Sequence, residues 1–338
     1  MINNTYNGKK VLVTGADGFI GSHLTESLVS KGACVTAMTC YNSFGSFGWL
    51  DELSLDIRNS LTIKPCDIRD SAHIFRIFEG NEIVFHLAAL IGIPYSYLAA
   101  QSYVDVNING TLNLLEAARG GSCGRVIHTS TSEVYGSAQM RPIPETHPLH
   151  GQSPYAASKI GADQMAEAYA RSHDVPVVIL RPFNTYGPRQ SERAVIATAI
   201  RQMIDNACKE VHLGDITTTR DFNFVNDTVE AFTQVGLSSN ISYGEPYNAG
   251  SGIETSVSDV VQKLFQITGC NKPLITDTNR NRPKASEVRS LIADSSKLKA
   301  ATGWKSSMDL DTGLTQTVEW WKKKSFKGDV GKGNEYRV

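Results

Sequence analysis

The chain lacks a long hydrophobic segment. No uninterrupted apolar run approaches the roughly 20 residues that a membrane-spanning helix needs, and the N-terminal residues are mostly polar. A secretory signal would require an apolar segment close to the N-terminus. We therefore expect neither a membrane anchor nor an export signal, and no membrane partner.

Cysteine and excess charge are also scarce. The 338 residues include six cysteines, none in C-x-x-C spacing, and eight histidines without H-x-x-x-H spacing. This pattern indicates neither a metal site nor a redox dithiol, and scattered cysteines are typical of a reducing compartment such as the cytoplasm. The net charge of −1, from 33 basic and 34 acidic residues, gives no electrostatic reason to bind nucleic acid.

Short β-branched runs alternate with segments of helical periodicity in the first half of the chain. The expected strands are 10–14, 34–38, 83–87, 125–130 and 177–180, and the expected helices are 19–31, 71–79, 109–119 and 154–172. Such alternation predicts an α/β fold with a doubly wound parallel sheet and helices on both faces. A ligand of such a sheet is expected outside the carboxyl ends of its strands.

A glycine-rich turn follows the first expected strand. Gly15, Gly18 and Gly21 have the spacing G-x-x-G-x-x-G, and a helical pattern begins beside them. Glycines at these positions let the backbone approach a pyrophosphate, whose charge then faces the N-terminus of the helix. The position between a strand and a helix predicts a dinucleotide site and hence a Rossmann sheet.

The sequence around the expected ribose and adenine positions leaves two choices open. An acidic residue at the end of the second strand favours NAD and an arginine favours NADP, but residues 38–42 read M-T-C-Y-N. Asp67, after the third strand, is either an acceptor for an adenine amino group or the N-cap of the next helix.

Tyr155 and Lys159 lie four residues apart at the start of an expected helix and so share one face. A nearby ammonium favours tyrosinate, so we expect the pKa of Tyr155 to fall from near 10 towards the working pH. Tyrosinate can take the proton of a hydroxyl while hydride leaves the same carbon. By itself the spacing is also typical of a surface pair; after a dinucleotide loop it predicts catalytic chemistry.

The segment Ser130–Gly136 begins at the end of a strand, where the ligand is expected. Thr131 is placed to hydrogen-bond a reacting hydroxyl, and Ser132 and Glu133 follow it. Sugar oxidation and epimerisation need no carboxylate there, whereas elimination of water needs a base for the proton beside a carbonyl. Glu133 is the candidate for that base; the alternative is that it caps the next turn.

After residue 181 the alternation weakens, although helices are still expected over 193–206 and 256–268. We expect residues 1–180 to form an NAD(P)-binding domain, with a later return near 222–248. Residues 181–330 would form mainly a smaller, interleaved α/β substrate-binding lobe, and residues 322–338 a flexible tail.

Further motifs accompany these residues along nearly the whole chain, to about Trp320. The motifs are Gly15, Gly18 and Gly21; His86-Leu87-Ala88-Ala89; Ser130-Thr131-Ser132-Glu133; Tyr155 and Lys159; Arg181-Pro182-Phe183-Asn184; and Thr219-Arg220-Asp221-Phe222. Together they resemble the extended short-chain dehydrogenase/reductase family. Within it the chain resembles the NAD-dependent nucleotide-sugar 4,6-dehydratases of the legionaminic-acid type, over residues 41–50 in particular.

The resemblance implies a substrate of UDP- or GDP-linked N-acetylglucosamine and a reaction at three adjacent sugar carbons. Tyr155, with Lys159 and Thr131, would deprotonate the carbon-4 hydroxyl as hydride leaves. Glu133 would then remove the carbon-5 proton, water would leave carbon 6, and hydride would return there. The similar dTDP-glucose dehydratases have aspartate where Ser132 stands, so the acid for the leaving hydroxyl is left open, with Glu133 a candidate for both roles.

The resemblance also implies the contacts with cofactor and substrate. The expected contacts of NAD, with NADP left open, are Gly15, Gly18, Phe19, Ile20, Gly21, Asp67, Ile68, Leu87, Ala88, Ala89, Tyr155 and Lys159. Arginine forks match the oxygens of a diphosphate. The expected substrate contacts are Asn184, Arg189, Arg220 and Arg289, with Arg282 as a further candidate. The alternative is that some of these arginines are structural ion-pair partners, for instance of Asp227 or Asp294.

Two other expectations concern residues outside the reaction itself. His86 is expected to pack and hydrogen-bond locally, and Asn107 to order nearby backbone. The helices expected over 102–119 and 154–172 carry apolar residues on more than one side. In the resembling family such helices pair across a two-fold axis, which implies a homodimer.

Three other functions stay open. A decarboxylase of nucleotide-linked glucuronate has nearly the same T-S-E-V-Y-G motif; it would need an extra cation for the substrate carboxylate, and residues 41–50 favour the dehydratase. A 4-epimerase has no need of Glu133. A catalytically silent dinucleotide-binding sensor is disfavoured because Thr131, Glu133, Tyr155 and Lys159 are all present.

Overall fold

The computed structural model describes residues 5–121, 123–280 and 282–325. The strands in these ranges are β1 Lys10–Thr14, β2 Cys34–Thr39, β3 Thr62–Pro65, β4 Ile83–His86, β5 Arg125–Thr129, β6 Val177–Pro182, β7 Asn184–Tyr186, β8 Val211–Leu213, β9 Thr219–Phe224, β10 Pro246–Ala249, β11 Glu254–Ser256, β12 Leu274–Thr276 and β13 Ser290–Leu291. The helices are α1 Phe19–Ser30, α2 Leu55–Asn59, α3 Ser71–Phe78, α4 Ile93–Leu98, α5 Ala100–Tyr103, α6 Gly110–Gly120, α7 Pro154–His173, α8 Val195–Ile204, α9 Val225–Leu237, α10 Val257–Thr268, α11 Ser296–Thr302 and α12 Leu310–Ser325.

Seven strands form the main sheet, in the order β10-β6-β5-β4-β1-β2-β3. Every neighbouring pair in it is parallel. The chain winds outward from β1 in one direction through β2 and β3, and in the other through β4, β5, β6 and β10. The expected α/β fold with a doubly wound parallel sheet is therefore confirmed.

Alternate residues of the central strands enter two different cores, one on each face of the sheet. Val11 and Val13 pack with Leu24 of α1 and Phe232 of α9. Leu12 lies between them in sequence and packs on the other face, with helices that include α3 and α6. Because successive side chains of a strand point to opposite faces, a strand covered on both faces reads as a continuous apolar run.

The smaller lobe is built around β9. This strand pairs with β7 and β13 in parallel and with β11 antiparallel, and β8 and β12 form a separate parallel pair. The chain returns to the main sheet through β10, which pairs with β6. We keep the expected division, 1–180 with a return near 222–248 and a lobe over 181–330, as a proposal.

Two expected element boundaries differ from the structure by more than two residues. The helix expected from residue 109 is the second part of a longer one, because the π-helical segment Val104–Asn109 joins α5 to α6. The tail expected from residue 322 begins inside a helix, since α12 continues to Ser325. Its last turn is held by Lys324, whose ammonium lies 5.0 Å from the centre of the Trp49 ring. Residues 326–338 lie outside the described residues. None of the described helices combines the length and the apolar character needed to cross a membrane.

Candidate active site

A cleft of about 990 Å³ opens at the carboxyl ends of the main-sheet strands. Thr39, Thr129 and Pro182, the last residues of β2, β5 and β6, all line it. The expected site residues on its walls are Gly15, Gly18, Phe19, Ile20, Gly21, Asp67, Ile68, Leu87, Ala88, Ala89, Thr131, Ser132, Glu133, Tyr155, Lys159, Asn184, Arg220 and Arg282. The fold thus brings together residues that are up to 267 positions apart, from Gly15 to Arg282.

The glycine turn at one end of the cleft fits a pyrophosphate. Gly15 has a φ of 68°, and a Cβ there would lie 2.8 Å from the Ala88 nitrogen. A Cβ on Gly21 would lie 2.1 Å from the Gly15 carbonyl oxygen, so α1 packs against the turn more closely than a side chain permits. A Cβ on Gly18 would meet only the Gly15 oxygen, at 3.3 Å. The surface beside Gly18 is therefore free for a ligand to approach the backbone.

Several buried polar atoms on residues that line the cleft have no hydrogen-bond partner among the described residues. They are Thr39 Oγ1, Thr129 Oγ1, Asn184 Oδ1 and Gln190 Oε1. An unsatisfied buried polar group costs about 1–3 kcal/mol. These atoms are suited to bind polar groups of a ligand, and together with the glycine turn they fit a dinucleotide that continues into a second, polar ligand.

The glycine turn meets the end of β2, and Asp67, after β3, lines the same cleft. Asp17 Oδ2 accepts from the Cys40 backbone N–H at 3.1 Å. Asp67 is bound by the side chain of Arg69, and its Oδ1 also accepts from the Arg69 backbone N–H at 2.9 Å. The N-cap of α3 is Asp70, so the alternative role of Asp67 as that cap is wrong. Its contact with adenine stays a prediction.

Tyr155 and Lys159 project from the first turns of α7, and both are almost fully buried. Burial raises the pKa of Tyr155, the Thr131 hydrogen bond lowers it, and Glu133 raises it, so the pKa lies above its ordinary value. Burial lowers the pKa of Lys159 to about 8, although Asp163 raises it. The expected fall of the Tyr155 pKa is therefore wrong for the protein by itself, because loss of water around the ring outweighs the favourable contacts.

Thr131 connects the tyrosine to the carboxylate. It is the N-cap of the 3-10 turn Ser132–Tyr135, and its Oγ1 accepts from the Glu133 backbone N–H at 3.2 Å. The alternative in which Glu133 caps this turn is wrong, since Thr131 does so. The Glu133 carboxylate is buried, and its Oε1 lies 3.4 Å from Nη1 of Arg282. Thr131 thus lies next to both side chains for which the sequence predicts proton transfer, Tyr155 and Glu133.

Arg220 lies in the same wall, with a carboxylate that the sequence did not identify. Its Nη2 is 3.4 Å from Glu287 Oε1, and its Nη1 donates to the Thr219 carbonyl at 2.8 Å. The alternative partner Asp227 instead accepts from the segment after residue 305. Burial lowers the pKa of Arg220 and the Glu133 charge raises it. Arg220, Arg282, Glu133 and Glu287 form a charged cluster that faces the cleft.

Two of the expected substrate arginines lie elsewhere. The lining of the cleft, within the described ranges, does not include Arg189 or Arg289. Arg189 turns towards α1, where its Nη2 is 2.7 Å from Glu26 Oε2, which is the ion-pair alternative for this residue. Arg289 is exposed, and its carbonyl accepts from the Thr219 N–H at 2.9 Å. Their contact with substrate stays a prediction that needs a movement of the side chains.

The expected local roles of His86 and Asn107 are confirmed. His86 lies between two hydroxyls, with Nδ1 2.9 Å from Thr14 Oγ1 and Nε2 3.1 Å from Thr111 Oγ1. Asn107, in the π-helical segment, bonds both the N–H and the carbonyl of Leu90. These bonds fix the cleft wall that follows β4.

Other polar residues of the cleft were missed by the sequence analysis. They include Gln190, Arg193, Asp215, Arg280 and Glu287. Gln190 and Arg193 follow the N-T-Y-G segment, so a polar run after a strand end was the available signal. The last two lie in an irregular segment without periodicity, which gives no signal. The described residues contain no group of three or more His, Cys, Asp or Glu arranged to hold a metal ion.

Comparisons with known proteins give one family and several reactions. The model of the family described as GDP-mannose 4,6 dehydratase matches residues 12–317. A dTDP-glucose 4,6-dehydratase of an Actinoplanes strain is 34% identical over 93% of this chain and 98% of its own. A UDP-N-acetyl-alpha-D-glucosaminuronate decarboxylase of Bacillus cytotoxicus is 31% identical over 93% of this chain and 98% of its own.

The solved structures give a similar result. The UDP-glucuronic acid 4-epimerase of Bacillus cereus, in complex with UDP-glucuronic acid and NAD, is 28% identical and superimposes with a TM-score of 0.85, covering 93% of this chain and 99% of its own. Proteins with three different named reactions thus resemble this chain to a similar degree. Overall similarity does not choose among the reactions, so the choice depends on the site.

Proposed function

We propose, from the premise that the chain belongs to the GDP-mannose 4,6-dehydratase family of extended short-chain dehydrogenases/reductases, that it is an NAD-dependent nucleotide-sugar 4,6-dehydratase. The proposed substrate is UDP- or GDP-linked N-acetylglucosamine, and the product is the 4-keto-6-deoxy sugar. Such relatives are found with NAD bound, and the glycine turn and orphaned polar atoms of this chain support the same cofactor.

The observation that carries the proposal is the shared position of Tyr155 and Glu133. Thr131 is near enough to Tyr155 to lower the pKa of its hydroxyl and caps the turn that holds Glu133, and all three residues line one cleft. Oxidation at one carbon followed by elimination requires two proton-transfer groups at neighbouring carbons. A 4-epimerase has no need of the second group.

In the proposed reaction, Tyr155 takes the proton of the carbon-4 hydroxyl, with Thr131 donating to the tyrosinate and Lys159 adding positive charge on the same helix face. Bound NAD would supply the hydride acceptor and, once reduced, the hydride donor, and its positive ring would favour tyrosinate. The new ketone acidifies the carbon-5 proton, which Glu133 removes. Glu133 is then placed to pass that proton to the hydroxyl that leaves carbon 6 as water. Carbon 5 takes up a proton as hydride returns to carbon 6, and this proton balances the one that Tyr155 accepted from the carbon-4 hydroxyl.

The substrate diphosphate is assigned to the arginine side of the cleft. Arg220 and Arg282 present guanidinium groups there, and Asn184, whose amide nitrogen can donate to a phosphate oxygen, lines the same cleft. Arginine forks match phosphate oxygens. The N-acetylglucosamine identity rests on the resemblance over residues 41–50. Those residues do not line the cleft: Gly48 and Trp49 pack against Asp17, beside the cofactor turn.

Decarboxylation of a nucleotide-linked hexuronate is the second candidate, because the cleft contains the cation that it would require. Arg282 lies beside Glu133, where a carboxylate on sugar carbon 5 would point if carbon 4 faces Tyr155. Once carbon 4 is a ketone, the carboxylate on carbon 5 can be lost as carbon dioxide. The present pairing of Arg282 with Glu133, rather than a free Arg282, is why dehydration ranks first.

The product mass separates these reactions. Purified protein, without added reductant, is incubated with UDP-N-acetylglucosamine, GDP-N-acetylglucosamine or UDP-glucuronate. We expect loss of one water from at least one N-acetylglucosamine substrate, and the faster nucleotide identifies the natural one. If only UDP-glucuronate changes, with loss of carbon dioxide, the decarboxylase is correct; an unchanged mass with a changed configuration at carbon 4 identifies an epimerase.

The activity of the NAD-bound enzyme, in which the positive ring of the cofactor would already favour tyrosinate, is expected to fall as the pH rises through about 8. Lys159 must be protonated to stabilise tyrosinate, and burial lowers its pKa to about 8. The charged form therefore predominates below that pH and is lost above it. The measurement is kcat/KM against pH, which reports the ionisations of the free enzyme.

Lys159→Arg is the control for this fall in kcat/KM, because arginine stays charged throughout the pH range. We expect a lower maximal rate, owing to the larger head group, and no fall near pH 8. If kcat/KM of the wild type first falls near the ordinary lysine pKa of about 10.4, the assignment to Lys159 is contradicted.

The quaternary state and the location are also part of the proposal. Leu98 and Val104 are 73% and 40% exposed on the helical segment that precedes α6. Such apolar residues on the surface support a homodimer through this segment and α7. All six cysteines are free thiols, which supports a cytoplasmic location.

A further inference from the structure

A buried polar network begins one helical turn beyond Lys159. Asp163 is fully buried, and its carboxylate accepts from Ser130 Oγ at 2.7 Å and His128 Nε2 at 3.2 Å. Arg181 adds two more bonds to it, from Nε at 3.1 Å and Nη2 at 3.0 Å. Burial raises the pKa of Asp163, but its partners lower it by more, so the pKa lies below its usual value. Asp163 is therefore ionised and fixed in place.

The network continues from Arg181 to the turn that carries Glu133. Nη1 of Arg181 donates to Tyr135 Oη at 2.9 Å, and its guanidinium lies 5.0 Å from the centre of the Tyr135 ring. Tyr135 Oη in turn donates to Asn248 Oδ1 at 2.7 Å, and Asn248 Nδ2 donates to the Ile143 carbonyl at 2.9 Å. Tyr135 is the last residue of the 3-10 turn, two positions after Glu133.

These residues do not belong to the machinery described above. Asp163, Arg181, Tyr135 and Asn248 do not line the cleft, within the described part of the chain. They therefore do not touch a ligand there. A buried ion pair is costly to desolvate and contributes little net stability compared with apolar residues of similar size. The contribution of the Asp163–Arg181 pair is therefore to fix the positions of the groups that it joins.

We propose that Arg181 is a positioning residue of the reaction. It joins the helix that carries Tyr155 and Lys159 to the turn that carries Glu133, and so fixes the spacing between the two proton-transfer groups. The inference rests on the proposed function, in which these groups act on adjacent carbons of one sugar in one pose. A displacement of about 1 Å between such groups costs about a hundredfold in rate.

Tyr135→Phe tests the inference because it removes only the hydroxyl through which the turn is bonded to Arg181 and to Asn248. The ring keeps its place against Arg181 and against Phe183, whose ring centre is 6.4 Å away. We expect oxidation at carbon 4 to continue, and the steps at carbons 5 and 6 to slow by about tenfold to a hundredfold. Reduced nicotinamide should then accumulate transiently in single-turnover absorbance traces, with little change in KM.

Tyr6→Phe is the matched control. Tyr6 is equally buried, and its hydroxyl donates to the Thr233 carbonyl at 2.7 Å, on the side of the sheet that faces α9. Both variants should lose a similar amount of thermal stability, and only Tyr135→Phe should change the ratio of reduced nicotinamide to final product. Equal slowing of both steps in Tyr135→Phe, or the same change of ratio in Tyr6→Phe, would overturn the inference.

Failure of the proposed function looks different in the same experiment. Wild-type protein would then lose no water from either N-acetylglucosamine substrate. The ratio is in that case measured on the nucleotide sugar that the wild type does convert, since each candidate reaction begins with oxidation at carbon 4. An unchanged ratio there would also overturn the positioning role of Arg181.

Discussion

Replacing Glu133 with glutamine is expected to lower the rate of water loss by about 10²–10⁴-fold, the usual contribution of a general base. Glutamine has nearly the same shape but cannot accept the carbon-5 proton. Oxidation at carbon 4 needs only Tyr155, Lys159 and Thr131, so it should continue. The variant should therefore bind the cofactor, form reduced nicotinamide with substrate, and stop. The measurements are product mass and the absorbance of reduced nicotinamide in one experiment.

Glu287→Gln is the matched control for this variant. Glu287 also presents a carboxylate in the cleft, but it pairs with Arg220 at 3.4 Å rather than lying beside Tyr155. Its loss should raise KM through the arginine side, without accumulation of reduced nicotinamide. If Glu133→Gln dehydrates its substrate at the wild-type rate, Glu133 is not the base and the dehydratase mechanism fails.

Replacing Tyr155 with phenylalanine is expected to lower the rate of the first step, by about 10²–10⁴-fold. Without the phenol, no group accepts the proton of the carbon-4 hydroxyl as hydride leaves. Because elimination follows oxidation, neither reduced nicotinamide nor product should form, in contrast to Glu133→Gln. Substrate and cofactor should still bind with near wild-type affinity, which equilibrium titration would show.

The control for this variant is Tyr103→Phe. The centre of the Tyr103 ring lies 6.2 Å from that of Tyr155. The Tyr103 hydroxyl donates to the Gly92 carbonyl and has no role in the proposed reaction. It should reduce stability more than activity. Accumulation of reduced nicotinamide in Tyr155→Phe would mean that another group accepts the first proton, and would assign Tyr155 to a later step.

The fold and one half of the site could be predicted from the sequence because their signals are local. The apolar runs of β1 and β4, the helical spacing after them, and the glycine turn each lie within a few residues of the chain. The spacing of Tyr155 and Lys159 is also a property of one helix. Thr131, Ser132 and Glu133 lie within four residues of the end of β5 at Thr129.

The other half depends on contacts between distant residues, and local patterns say little about them. Arg282 and Glu133 are 149 positions apart, and Arg220 and Glu287 are 67 apart. The sequence analysis ranked Arg289 above Arg282, whereas the structure places Arg282 in the lining of the cleft and leaves Arg289 exposed. Arg189 was expected at the site because it lies in the same loop as Asn184, but its side chain forms an ion pair with Glu26 of α1.

The electrostatic properties of the site were also only partly predictable from the sequence. The sequence by itself determined which ionisable groups are present, and that Lys159 lies one turn from Tyr155. It did not determine the sign of the Tyr155 shift, because burial depends on Tyr103 and other groups brought together by the fold. Periodicity and motif spacing fix the local elements. Only the packing of strands and helices decides which charges lose water and which residues meet across the cleft, and this is why the Glu133–Arg282 and Asp163–Arg181–Tyr135 links had to come from the tertiary structure.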